Sequence, residues 1–140
     1  AHLSQQAQKT IDSLFQYGLH LGNAFQLIDD ALDYCSDANT IGKNIGDDLA
    51  DGKATLPLLH ALSHAQPAQQ KLIQTSLETG DISRLPEIIE AIHATDAIAF
   101  TKKMAQDEVN FAIACLAELD NSAYKQALID LAIDSIERKN

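Results

Sequence analysis

Carboxylates gather in one window of this sequence. Seven aspartates, at 29, 30, 33, 37, 47, 48 and 51, fall in a stretch where Lys43 is the only basic residue. Within Phe25-Gln26-Leu27-Ile28-Asp29-Asp30-Ala31-Leu32-Asp33, a helical advance of about 100° per residue sets Asp29 about 40° from Asp33 and Asp30 about 60° from it, with Gln26 one turn earlier on the same face. Like charges at such spacings, toward the helix end where the macrodipole disfavours anions, destabilise the helix unless something cationic neutralises them. Oxygen-only donors select a hard cation. A small carboxylate group on a rigid helix suits Mg²⁺, which keeps several waters and bridges to a substrate phosphate. The plain alternative is a solvated acidic face. Asp47-Asp48-Leu49-Ala50-Asp51 spells the same DDxxD string, so the string arises readily in this composition.

Downstream, Gly42-Lys43 and Gly52-Lys53 place two lysines in glycine-rich turns. Glycine backbone lets an ammonium and main-chain N–H groups approach a phosphate closely. Carboxylates, Mg²⁺ and lysines together make a site for a diphosphate, while each lysine taken singly is equally an ordinary solvated surface residue.

The elements that must position these groups are helical. Valine occurs once, and no stretch alternates apolar and polar residues long enough for a strand, so the fold class is all-α. Ser4 is a candidate N-cap, and Ile11, Leu14, Phe15, Gly18, Leu21, Phe25, Ile28 and Leu32 follow at helical spacing, predicting one long helix to about Tyr34. Gly18 and Gly22 inside it mark either a close helix crossing or room for a ligand or a kink. Residues 36–54 have loop composition, and a loop of that length is usually functional. Further helices are predicted at 55–64, 67–79, 84–94, 96–119 and 122–138, with Asp81, Asp96 and Ser122 as starts or caps.

Composition bounds the rest. The 140 residues carry a net charge of -10, which argues against a nucleic-acid surface. Cys35 and Cys115 lie far apart without CxxC spacing and read as reduced thiols of a cytoplasmic protein. No apolar run approaches the roughly 18 residues that span a bilayer, and no signal-peptide layout opens the chain. Ala1 at the start and Met104 as the single methionine read as a fragment of a longer product.

The motifs together resemble the trans-prenyl diphosphate synthases. The family's second aspartate-rich motif, G-x-x-F-Q-x-x-D-D-x-x-D, matches Gly22 to Asp33, and its G-K-x-x-G-x-D-L-x-x-G-K-x-T-L-P element matches Gly42 to Pro57. With His60-Ala61-Leu62 and a basic tail at Arg138-Lys139, the chain is most similar to the C-terminal part of the long-chain bacterial branch, the octaprenyl diphosphate synthases.

The resemblance implies the isoprenoid synthase helical bundle, with residues 1–140 the C-terminal half of one catalytic domain whose first aspartate-rich motif lies outside it. It implies a transferase that adds isopentenyl diphosphate to an allylic diphosphate, with Mg²⁺ as cofactor and a homodimer as the full-length state. The carried-over roles make Asp29, Asp30 and Asp33 metal ligands. Lys43 contacts the diphosphate, Gln26 hydrogen-bonds near it, Phe25 faces the hydrocarbon, and Asp48 and Lys53 order the loop. Asp47 and Asp51 fall on variable positions, making the second DDxxD a coincidence. Holding one carboxylate cluster of two, the isolated chain is expected to be inactive. The alternatives are a short-chain farnesyl or geranylgeranyl synthase, or a non-catalytic helical subunit.

Overall fold

The computed structural model describes residues 2–35 and 45–138, and every regular element among them is helical. In chain order these are α1 (His2–Leu32), α2 (Asp47–Ala50), α3 (Leu56–His64), α4 (Pro67–Thr79), α5 (Leu85–Ala94), α6 (Ala97–Cys115) and α7 (Ala123–Ile136). The chain divides into two compact units, one of Ala1–Gln26 with Lys103–Lys139 and one of Leu27–Lys102.

The first unit packs Tyr17 and Ala24 of α1 with Val109, Ala112, Leu116 and Ala132. The repeated alanines let backbones come close, and the buried Tyr17 satisfies its hydroxyl by donating to the Leu128 carbonyl at 2.6 Å. His20 meets Glu108 at 2.6 Å and lies against the Phe111 ring. Ser122 caps α7 as expected, its hydroxyl accepting from the Lys125 N–H at 3.1 Å.

The second unit is centred on Tyr34, Leu49, Leu58, Ala61, Ile73, Ile88, Ala91, Ile92 and Ala97, with α4 packed against α2, α3 and α5. Two left-handed glycines make this packing possible. A Cβ on Gly46 (φ 85°) would come within 2.9 Å of a Leu85 methyl, and one on Gly80 (φ 71°) within 2.9 Å of the Ala50 carbonyl oxygen. Gly80 ends α4 as a left-handed C-cap.

Several boundaries differ from the sequence expectation for local reasons. Helix α1 stops at Leu32 rather than Tyr34, because Tyr34 and Cys35 turn their N–H groups back to Ala31 and Leu32 in tighter i→i+3 bonds. The predicted 96–119 helix ends at Cys115 for the same reason, and the Lys125 ammonium takes the Leu119 carbonyl at 2.9 Å. Ser4 lies within α1, not before it. Asp81 is not a cap of α5: its carboxylate accepts the Ser83 N–H at 2.9 Å, and Arg84 occupies the N-cap. The stretch read as loop contains α2, whose Leu49 is fully buried. Gly18 and Gly22 are not pressed by a helix crossing: a Cβ at either meets nothing within 4 Å among the described residues.

Candidate active site

The aspartates of the FQxxDDxxD segment sit at the end of α1. Asp30 and Asp33 are buried, at 9% and 7% exposure, and Asp29 is partly buried. The Asp33 N–H donates to the Asp29 carbonyl at 3.0 Å, so the helical register reaches Asp33 although the assigned helix ends one residue earlier. Burial of two neighbouring carboxylates is costly, which is the electrostatic problem the sequence posed.

Lys53, Asp48 and Tyr34 of the following segment are electrostatically coupled, Lys53 and Tyr34 each to Asp48 and to this charge. The Lys53 ammonium donates to Asp48 Oδ1 at 3.2 Å, and the Lys53 N–H donates to the Asp48 carbonyl at 2.8 Å. Its pKa is raised by the hydrogen bond and charge of Asp48, and further by Asp51 and Asp30. Lys53 is thereby held chiefly by Asp48 of α2, with Asp30 the smallest of these contributions. Tyr34 is the third group, 2% exposed. Burial pushes its phenol above the ordinary tyrosine range, with Asp33, Asp48 and Asp30 adding to the rise. The Thr55 hydroxyl is close enough to favour the phenolate slightly, yet neither Tyr34 Oη nor Thr55 Oγ1 completes a hydrogen bond of ordinary geometry.

Earlier on α1, Phe25 and Gln26 belong to the first unit and are exposed. The Phe25 ring is covered by the Arg138 guanidinium, 4.1 Å from the ring centroid, a cation–π contact. Lys43 and Gly42 lie outside the described residues.

The donor set fits a hard divalent ion: it is all oxygen, partly buried, and dense enough in negative charge to perturb Tyr34. Among the described residues no three acidic, histidine or cysteine side chains converge to hold an ion by themselves. Such an arrangement suits Mg²⁺ bound by one or two carboxylates, with water and substrate phosphate completing the shell.

Asp48 and Lys53 are brought together, and Asp30 adds a smaller contribution at Lys53. Sequence reasoning gave no role to Tyr34, which directly follows the aspartate-rich motif, or to Thr55, which lies within the GK element. It also set Asp51 aside, whose charge acts on Lys53. The pairing of Phe25 with Arg138 has no signal in sequence spacing.

Comparison with known proteins places these features in a family. The polyprenyl synthetase family profile matches residues 1–93. The octaprenyl diphosphate synthase of Escherichia coli K12 is 46% identical over 126 residues, covering 89% of this chain and 39% of that protein. The polyprenyl synthase of Caulobacter crescentus, solved with calcium and isoprenyl diphosphate, superposes with a TM-score of 0.81 at 37% identity, over 92% of this chain and 40% of that one. The geranylgeranyl pyrophosphate synthase of Corynebacterium glutamicum, solved with isoprenyl diphosphate and magnesium, gives a TM-score of 0.79 at 32% identity, over 92% of this chain and 38% of that one. The chain thus spans about two fifths of the length of the relatives it matches. No helix among the described residues is long and apolar enough to cross a membrane. The chain belongs to the polyprenyl synthetase family.

Proposed function

We propose that this chain is the C-terminal half of a trans-polyprenyl diphosphate synthase that builds a long-chain, octaprenyl-class product for isoprenoid quinone side chains. The observation that carries the reading is the burial of the Asp30 and Asp33 carboxylates at the end of α1, a concentration of oxygen donors that a hard cation would neutralise. In the proposed reaction the allylic C–O bond breaks, diphosphate departs with the electron pair, the isopentenyl double bond attacks the allylic carbon, and a proton is lost. Mg²⁺ held by one or two carboxylates of the Asp29, Asp30 and Asp33 cluster, with water and substrate phosphate, would supply Lewis-acid stabilisation of the departing charge.

The chain's own residues have distinct tasks in this reading. Asp48 holds the Lys53 ammonium, a cation at neutral pH, in the segment where diphosphate is to bind. Lys43 contacts the diphosphate, Gln26 hydrogen-bonds beside it, and Phe25 faces the hydrocarbon. Tyr34 keeps its proton and adds no further negative charge to the cluster. The full-length enzyme is a cytoplasmic homodimer in this reading. The isolated chain has no turnover, because it carries one of the two carboxylate clusters needed to bracket a diphosphate.

The test is thermal unfolding of the chain with Mg²⁺ and inorganic diphosphate, added singly and together. A rise in the midpoint only with both present is the expected result, through preferential binding to the folded state. No shift at millimolar concentrations of both would overturn the site assignment and favour a non-catalytic helical subunit. The identity to an octaprenyl synthase favours the long-chain product. Chromatography of the products of the intact enzyme separates it from a geranylgeranyl or farnesyl product.

A further inference from the structure

Outside this site, a cleft of about 260 Å³ opens between α4 and the connection from α4 to α5, lined by Lys71, Thr75, Ser76, Asp81, Ser83 and Arg84 with Ala68 and Leu72. Its volume is below that of an ordinary ligand pocket and suits a small ion or headgroup. Ser76 is 3% exposed and lines the cleft; its hydroxyl is not among the buried, unpartnered atoms of the described residues, so it is open to solvent there. Lys71 forms no ion pair among the described residues. Arg84 commits Nε and Nη2 to Glu87, which leaves three of its five N–H donors available.

The donors on this cleft therefore exceed the acceptors. Asp81 is the one carboxylate in the lining, and it is already used, accepting the Ser83 N–H at 2.9 Å. From these features we infer that the cleft binds a phosphate group, with Lys71 Nζ, the Ser76 hydroxyl and the free edge of Arg84 as donors. Charge-assisted donors of this kind recognise an oxyanion of tetrahedral shape. Asp81 moderates the affinity through like-charge repulsion. The site is independent of the Mg²⁺-diphosphate reading, since it uses no residue of the aspartate-rich segment.

The chain is titrated with inorganic phosphate in EDTA at constant ionic strength, following the backbone amide signals of Thr75, Ser76 and Ser83. Saturable shifts at these residues are expected. Lys71→Gln should weaken the binding about tenfold, the scale of one lost charge-assisted hydrogen bond. Ser76→Ala should weaken it several-fold, and Asp81→Asn, which keeps an acceptor for Ser83, should tighten it. Inorganic diphosphate in the same buffer distinguishes the source: tighter binding than phosphate assigns a diphosphate headgroup, and equal or weaker binding a monoester. Non-saturable shifts, or wild-type affinity in both Lys71→Gln and Asp81→Asn, would overturn the proposal.

Discussion

Lys53 and Asp48 are bonded twice, through the side chains at 3.2 Å and through the Lys53 N–H to the Asp48 carbonyl at 2.8 Å. The double contact closes the turn after α2 and fixes the Lys53 ammonium on Asp48. In the parent enzyme, Asp48→Asn and Lys53→Met should each lower kcat/KM about tenfold, as expected for one charge-assisted hydrogen bond. The double variant should be little worse than either single one, because the two residues act as a unit. Steady-state kinetics on the three variants checks this, and full additivity would separate the two residues.

Gly80→Ala tests the packing that holds α2 in place. With φ at 71° and the Ala50 carbonyl 2.9 Å from the added carbon, the substitution should cost about 1–3 kcal/mol. Urea unfolding should show a lower midpoint with an unchanged slope.

Tyr34→Phe should run the other way. The phenol is buried without a good hydrogen bond, so removing its oxygen should leave stability unchanged or raise it by up to about 1 kcal/mol. A loss of more than that in chemical denaturation would reveal a partner for the hydroxyl.

Tyr17 gives a pH signature. Burial raises its pKa above the ordinary 10.0. Below that value the tyrosine is protonated in both states and its contribution is fully present. As pH rises further the unfolded chain ionises first, so stability is lost through the native pKa. Tyr17→Phe should forfeit about 1 kcal/mol at neutral pH, with the bond to Leu128, and should flatten the alkaline limb of the stability curve.

The helices were legible because apolar spacing and turn residues repeat along the chain: Pro67 to Thr79 was read to the residue, and Ser122 capped as expected. Helix ends were less so, since α1 and α6 finish in i→i+3 bonds that depend on local backbone rather than residue type. Gly18 and Gly22 were open to two readings, and among the described residues no atom lies within 4 Å of a Cβ built at either. At the site, the carboxylates and lysines were visible as types and spacings. The burial of Asp30, Asp33 and Tyr34 was not, because burial depends on how the chain packs rather than on spacing within α1.

The central claim is that the α1 aspartates carry the chemistry of a prenyl transfer. It is tested most directly by the turnover of isopentenyl and allylic diphosphates by the intact parent enzyme with Asp29→Ala. The account expects kcat to fall by about a hundredfold or more, the scale of losing a group that stabilises transition-state charge, with the unfolding temperature nearly unchanged. Turnover at the wild-type rate in a folded variant would contradict it.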